Sequence, residues 1–159
     1  MKFRFRMNTL AAGFAIALAI VLLSPHTRHA LAAGDDMVTT TVKGSFEGTL
    51  TKLKKAITAS KLVIVKQVPY SKMIAMVGVK AEKTVGLEIF HPRYGKVIYE
   101  NDKDAMIEAP LRMLVRDQGG EVLIRYRKPS VVFANYSSLS GLGRELDAVF
   151  EKIVTSVAK

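Results

Sequence analysis

Two segments in the second half of the chain alternate between apolar and polar side chains. They are Leu111–Arg116 and Glu121–Arg127, and the four residues between them are Asp-Gln-Gly-Gly. Alternation with a period of two indicates β-strands, and a short glycine-containing connection joins such strands into an antiparallel hairpin. The sequence therefore predicts a hairpin, and the remaining elements must pack around it.

The predicted hairpin has one apolar face and one face that carries arginines. We pair Arg116 with Glu121 across the four-residue loop, which places Arg112 directly opposite Arg125. One face is then apolar and belongs to the core: Leu111, Met113, Val115, Val122, Ile124 and Tyr126. The other face carries two leucines and four arginines: Leu114, Leu123, Arg112, Arg116, Arg125 and Arg127.

Helical periodicity before and after the hairpin predicts two longer helices. Phe46, Leu50, Leu53 and Ile57 recur at helical spacing, and Ser45 is a suitable N-cap for a helix that begins there. A wide apolar stripe with the same period runs from Leu142 to Val157. Apolar runs rich in β-branched residues predict three further strands: Val38–Lys43, Leu62–Val68 and Val85–Phe90.

Three shorter segments have weaker patterns. Ser71–Val79 fits either an extended run or a short helix, and Arg93–Glu100 fits a short helix after His91-Pro92. Val131–Ala134 is a candidate for one more strand. The order of strand, helix, several strands and helix predicts an α+β, two-layer domain, with a mainly antiparallel sheet and the two main helices packed on one of its faces.

The first 32 residues have the organisation of a secretory signal peptide. Three basic residues precede a 14-residue run of apolar residues and glycine, and Ala30-Leu31-Ala32 offers the small residues of a cleavage site. As a helix that run is roughly 21 Å long, short of a hydrocarbon core of about 30 Å, so we expect cleavage and no stable membrane anchor. We predict a signal peptide over 1–32, a short polar leader over 33–38 and a single domain over 39–158, exported to the periplasm or the extracellular space.

Composition limits the chemistry of the mature chain. The net charge of the full chain is +10, and removal of residues 1–32 leaves 20 basic and 14 acidic residues, a net charge of +6. The chain has no cysteine, and two of its three histidines lie in the predicted signal peptide, so His91 alone remains. We therefore expect no cofactor, no thiolate chemistry and no multi-histidine metal site. Export, and basic residues without interleaved aromatic residues, also predict no nucleic-acid binding.

Four motifs follow one another in a characteristic order. They are Gly78; Phe90-His91-Pro92 with Gly95; Ala109-Pro110-Leu111-Arg112 with Leu114-Val115; and Gly120-Glu121-Val122 with Tyr126 and Pro129. In order and spacing they resemble the domain of unknown function 302 family over about residues 39–158. The resemblance implies one strand, a helix, four strands and a helix, with a short helix at Ser71–Met76, and it implies a homodimer. It implies no particular activity, because none is assigned to the family as a class.

The chain departs from the family pattern in three segments. Many members have Asp-His where Pro69-Tyr70 stands, a second histidine where Tyr136 stands, and Asn-Pro where His91-Pro92 stands. If the family histidines form one site, tyrosines replace them here, which weighs against a metal or acid–base role at these positions.

The arginine face of the hairpin is the leading candidate site. Neighbouring arginines repel one another unless an anion lies among them, and a guanidinium group binds carboxylate, sulfate or phosphate through paired hydrogen bonds. We predict an anion-binding site for a small anion or an acidic partner at Arg112, Arg125, Arg127 and Arg116. Two alternatives stay open: a solvated sheet face, and a dimer face on which nearby carboxylates pair with the arginines.

Catalysis and metal carriage are the alternatives to binding. Hydrolytic or acid–base chemistry would use His91 with Tyr70 and Tyr136, and it requires these side chains to meet in one cleft, within about 10 Å. A metal or haem carrier would combine His91 with Met73 and Met76. Each of these residues also has a structural explanation as a strand-end or packing residue. We therefore favour a non-enzymatic binding or interaction module.

Overall fold

The computed structural model describes residues 36–159, so the predicted signal peptide and the first half of the predicted leader, residues 33–35, lie outside the described residues. The strands are β1 (Met37–Lys43), β2 (Val63–Val68), β3 (Thr84–Phe90), β4 (Leu111–Asp117) and β5 (Glu121–Arg127). The α-helices are α1 (Phe46–Ala59), α2 (Tyr70–Ala75), α3 (Pro92–Asn101), α4 (Pro129–Val132) and α5 (Ser140–Ala158). Two short 3-10 helices cover Asp104–Glu108 and Ser137–Leu139.

The five strands form one antiparallel sheet in the order β1-β5-β4-β3-β2. Helices α1 and α5 contact each other and cover one face of this sheet. The predicted α+β class, with two main helices on one face, is therefore confirmed. No helix within residues 36–159 combines the length and the apolar composition that a membrane span requires.

Helix α1 begins and packs as its sequence predicts. The Ser45 hydroxyl accepts a hydrogen bond from the backbone N–H of Gly48 at 3.2 Å, which satisfies a donor that the first turn leaves free. Phe46, Leu53 and Ile57 are buried against the sheet. The lysines of this helix lie off the apolar stripe and are exposed to solvent.

The main core lies between the two long helices and the apolar face of the hairpin. Met113, Val115, Val122 and Ile124 are fully buried there. The ring of Tyr126 meets the ring of Phe150 of α5 edge to face, with 5.3 Å between the centroids. A smaller apolar cluster joins α3 and α4 to the beginning of α5: Ile98, Ala105, Phe133, Leu139, Leu142 and Leu146. The core face of the hairpin is therefore the predicted one.

The predicted register of the hairpin is wrong by two positions. Arg116 lies opposite Leu123, not Glu121, and Leu114 lies opposite Arg125. The pairing continues into the loop, where the N–H of Gln118 donates to the carbonyl of Glu121 at 2.8 Å. Only Gly119 and Gly120 then turn the chain, at φ values of +73° and +106°, which glycine adopts without steric cost. An offset of two preserves the face of every side chain.

Two shorter segments are helical. Ser71–Val79, for which the pattern left two possibilities, contains most of α2. The strand predicted at Val131–Ala134 is wrong, because α4 begins at Pro129 and the Lys128 carbonyl accepts hydrogen bonds from the N–H groups of Val131 and Val132. Proline suits the first position of a helix, and this helical start prevails over the β-branched composition.

Candidate functional site

The sheet face opposite α1 and α5, which we call the outer face, carries three of its four hairpin arginines at one end. In β4, Arg112 lies opposite Glu88 of β3. In β5, Arg127 lies opposite Met37 of β1, and extending the β4–β5 register by one position places it opposite Arg112. The next row of side chains contains Arg125, opposite Leu114. Arg112 and Arg127 in one row and Arg125 in the next row therefore form a cationic patch at one end of the outer face, which we call the cationic corner.

The pairing of Arg112 directly opposite Arg125 is a wrong prediction that follows from the register. The two residues are diagonal neighbours on adjacent strands, a separation that long side chains span. Arg116 lies four residues beyond Arg112 in β4, roughly 13 Å away at the rise of an extended strand. Its partners across the sheet are Thr84 and Leu123. Arg116 is therefore on the predicted face but away from the other three arginines.

An open cavity of about 380 Å³ lies over the cationic corner. Arg112, Arg125 and Arg127 all line it, and Arg116 does not. The other walls come from separate parts of the chain: Tyr70, Ile107, Glu108, Pro110, Leu114 and Val132. We call this space the arginine cavity. It unites three of the four predicted anion-binding residues with side chains from α2, α4 and the 3-10 helix Asp104–Glu108.

The charges around the arginine cavity are only partly compensated. The Nε of Arg112 lies 4.0 Å from Oε1 of Glu88, and the Arg112 side chain is 73% exposed. Glu108 supplies a carboxylate in the wall. Within residues 36–159, no carboxylate oxygen lies within 4.0 Å of a guanidinium nitrogen of Arg125 or Arg127. The cavity therefore keeps cationic groups that an anion can reach.

Tyr70 reaches the arginine cavity because α2 is fastened to β3. The N–H of Thr84 donates to the Ser71 hydroxyl at 3.2 Å. The Tyr70 ring lies against the backbone of Gly86, where a β-carbon would be only 2.7 Å from Cε2 of the ring. Gly86 is opposite Leu114, so the ring stands beside an apolar part of the outer face. Tyr70 thus has a defined position in the wall of the cavity, because Gly86 has no side chain and leaves room for its ring.

His91 has a structural task at the end of β3. Its Nδ1 accepts a hydrogen bond from the N–H of Arg93 at 3.0 Å and so caps α3, whose first residue is Pro92. Its ring meets the ring of Tyr94 edge to face, with 5.7 Å between the centroids. The family resemblance implies asparagine at this position, and asparagine is among the best N-cap residues. Histidine and asparagine can therefore perform the same capping role here.

Tyr136 lies at a third location, against the smaller apolar cluster. Partial burial raises the pKa of its hydroxyl, and the negative charges of Glu108, Asp102 and Asp104 raise it further. This environment favours the neutral phenol. It therefore disfavours the phenolate, which is the form that would act as a general base.

The structure does not bring His91, Tyr70 and Tyr136 into one cleft. Tyr70 lines the arginine cavity, His91 lines a much smaller apolar cavity, and Tyr136 lines neither. Tyr70 packs on Gly86, and His91 follows Gly86 five residues later along an extended strand. The α-carbons of Gly86 and His91 are therefore roughly 16 Å apart. Proton transfer requires the donor and the acceptor to lie within hydrogen-bonding distance of each other, directly or through one water molecule. The geometry therefore gives no support to an active site built from these three residues.

The His/Met metal hypothesis also finds no supporting geometry. Met73 belongs to α2, which Ser71 joins to Thr84 at the beginning of β3, and Met76 directly follows this helix, whereas His91 follows the end of β3. In the part of the chain that the structure describes, no group of three or more histidine, aspartate or glutamate side chains is arranged to hold a metal ion.

Sequence reasoning did not identify the apolar wall of the arginine cavity. Ile107 is 79% exposed and occupies the 3-10 helix Asp104–Glu108. Val132 enters through α4, which the sequence predicted as a strand. Ala105 and Met106 precede Ile107, so the sequence shows only a short apolar run and gives no signal that this side chain is exposed.

Comparison with known proteins gives a family match and a similar fold. The family model described as "Domain of unknown function DUF302" matches residues 38–159. A crystal structure of an uncharacterized conserved DUF302 protein from Bacillus stearothermophilus has a TM-score of 0.69 to this structure, with 14% sequence identity, and the match covers 77% of this chain and 98% of that chain. At this identity the likeness shows the fold alone. No curated protein matches the sequence significantly.

Proposed function

Because the chain belongs to the DUF302 family, which is defined without an activity, we propose a function from its own outer face: the protein is a binding module for a small anion. The guanidinium groups of Arg112, Arg125 and Arg127 hold the anion in the arginine cavity. The single observation that carries this proposal is that these three groups line one open cavity.

Electrostatics favour an anion as the occupant. Like charges on adjacent strands of a sheet destabilise one another, and a bound anion turns that repulsion into attraction. Arginine also provides paired N–H donors that match the two oxygens of a carboxylate or of a phosphoryl group. The carboxylates of Glu88 and Glu108 neutralise only part of the positive charge of the cationic corner.

The test is a thermal-shift titration with phosphate, sulfate and acetate at constant ionic strength, adjusted with chloride. We expect at least one of these anions to raise the melting temperature of the wild-type protein. In the double variant Arg112→Gln/Arg125→Gln the rise should disappear, because two of the three cations are lost. Arg116→Gln is the matched control: it removes an arginine from the same strand and face, outside the cavity. An equal shift in the double variant would refute the proposal.

We also propose that the protein is a homodimer, as the family resemblance implies. Exposed apolar side chains that are close in sequence support it: Met76 and Val77, in the turn after α2, are 86% and 78% exposed, and Met73 and Val79 are exposed as well. Apolar patches of this kind mark interaction sites. Sedimentation equilibrium should give a dimer for the wild type and a monomer for Met76→Ser/Val77→Ser. A wild-type monomer at high concentration would refute this.

We further propose that residues 1–32 direct export and are then removed. The basic start, the apolar run and Ala30-Leu31-Ala32 support this. Mass spectrometry of protein recovered from outside the cytoplasm should give a chain that begins at Ala33. Recovery of the full-length chain in the cytoplasm alone would contradict it.

A further inference from the structure

The arginine cavity has two chemically different sides, and this difference indicates more than a generic anion site. One side presents the guanidinium groups of Arg112, Arg125 and Arg127. The other side comes from α2, the 3-10 helix Asp104–Glu108 and α4, and its apolar side chains are Tyr70, Ile107 and Val132. A bare inorganic anion would use only the first side and would leave the second exposed to water.

Two residues of the apolar side, Ile107 and Tyr70, keep surface open to solvent. Ile107 is 79% exposed in the absence of a ligand, although it lines the cavity. The Tyr70 ring is held by contact with Gly86 yet keeps part of its surface open. Burial of such surface by a ligand is favourable in water, by about a threefold to fourfold gain in affinity for each methylene group buried.

The charges of the corner select for a singly charged ligand. Three arginines line the cavity, Glu108 lines it too, and Glu88 lies beside Arg112. These five groups together leave one net positive charge. A phosphate dianion would gain attraction from the arginines but would also meet two carboxylates, whereas a carboxylate monoanion balances the site.

We propose that the ligand is an amphipathic monoanion: a carboxylate that binds the arginines, joined to an aliphatic or aromatic body that lies on the apolar side. This rests on the proposed anion-binding function and assigns its ligand class. The cavity volume of about 380 Å³ is at the lower end of the range for small-molecule sites, roughly 300–1,000 Å³, and it suits a body of medium length.

The test is calorimetry with straight-chain carboxylates, from acetate through butanoate and hexanoate to octanoate, below their micelle concentrations. Affinity should rise about threefold to fourfold per methylene over part of the series, because each added group buries apolar surface. Ile107→Ser should flatten this rise, because the added methylene groups lose an apolar surface that they would bury. The side chain is mostly exposed, so this substitution does not put folding at risk. Phosphate should bind more weakly than hexanoate.

Additional variants and a neutral ligand in the same experiment distinguish an amphipathic ligand from a simple anion. Arg112→Gln/Arg125→Gln should abolish binding at every chain length, and 1-octanol, which has no charge, should not bind. Met76→Ser/Val77→Ser should bind octanoate as the wild type does, which excludes the exposed patch after α2 as the site. Equal affinity for acetate and octanoate, lost in the double arginine variant, would overturn the amphipathic ligand and leave the anion site. Absence of binding by every anion would overturn both.

Discussion

The phenol ring of Tyr70 rests on the backbone of Gly86: a β-carbon at position 86 would lie 2.7 Å from Cε2 of the ring and 3.2 Å from its hydroxyl oxygen. This contact joins α2 to the middle of the sheet and places an aromatic wall beside the cationic corner. It also explains why β3 contains a buried glycine, a residue that weakens a strand and often marks a close approach by another group.

The contact predicts strong coupling between the two residues. Gly86→Ala should destabilise the protein by about 1–3 kcal/mol, because the ring must move to admit the methyl group. In a Tyr70→Ala background the same substitution should cost much less, since the conflict is gone. Urea denaturation of the two single variants and the double variant measures this coupling. Additive effects would mean that the ring does not depend on Gly86.

Capping by His91 predicts that asparagine, but not alanine, can replace it. His91→Ala removes the acceptor for the N–H of Arg93 and should cost about 0.5–2 kcal/mol of unfolding free energy. His91→Asn should retain most of the wild-type stability. Both variants should bind anions in the arginine cavity as the wild type does. Chemical denaturation and the anion titration provide the two measurements, and a loss of binding in His91→Asn would show a role beyond capping.

Two glycines at the beginning of α5 should respond in opposite directions to alanine. A β-carbon at Gly143 would lie 2.7 Å from Cα of Ser130, so Gly143→Ala forces α4 and α5 apart and should destabilise the protein by about 1–3 kcal/mol. Gly141 has open space around it, and Gly141→Ala should stabilise by up to about 1 kcal/mol through helix propensity. Thermal denaturation of the two variants tests the close approach of the helices, and similar changes in both would contradict it.

The environment of Tyr126 predicts a loss of stability at high pH. Burial, and then the negative charges of Glu151 and Asp147, raise the pKa of its hydroxyl to about 12. In the unfolded chain tyrosine titrates near pH 10, so the unfolded state loses this proton first. The contribution of Tyr126 is therefore fully present below about pH 10 and is lost as the pH rises towards 12.

The matched variant for that prediction is Tyr126→Phe, which keeps the ring contact with Phe150 and removes the titrating group. Urea midpoints at pH 8, 10 and 11.5 should fall less steeply for this variant than for the wild type. Tyr94 and Tyr136, whose pKa values are also raised, titrate in both proteins and so cancel in the comparison. Parallel midpoints would show that Tyr126 does not contribute.

The sequence was sufficient to predict the fold class and the core because burial imposes its own period on each element. Alternation over Leu111–Arg127 and the helical stripes of α1 and α5 identify which side chains face inward. The register of the hairpin was beyond this reasoning, because it depends on two adjacent glycines at positive φ that extend the pairing to Gln118. An error of two positions nevertheless kept the four arginines on the correct face.

The site was predicted only in part, for a different reason. Alternation identified Arg112, Arg125 and Arg127, since all three lie on two adjacent strands. The apolar side of the cavity comes from α2, α4 and a 3-10 helix, elements that tertiary packing brings to the outer face. The family resemblance made Tyr70 a candidate catalytic residue, whereas in the structure it forms part of the wall of the arginine cavity. No periodicity connects Tyr70, Ile107 and Val132.

The most direct test of anion binding in the arginine cavity is the dissociation constant of hexanoate, measured by calorimetry at constant ionic strength for the wild type, Arg112→Gln/Arg125→Gln and Arg116→Gln. We expect a loss of affinity of about a hundredfold or more in the double variant, because each charge-assisted hydrogen-bonding group contributes about 1.5–3 kcal/mol. We expect a change of less than about twofold in Arg116→Gln, whose charge is distant from the cavity. Equal losses in the two variants, or no loss in either, would contradict binding in this cavity.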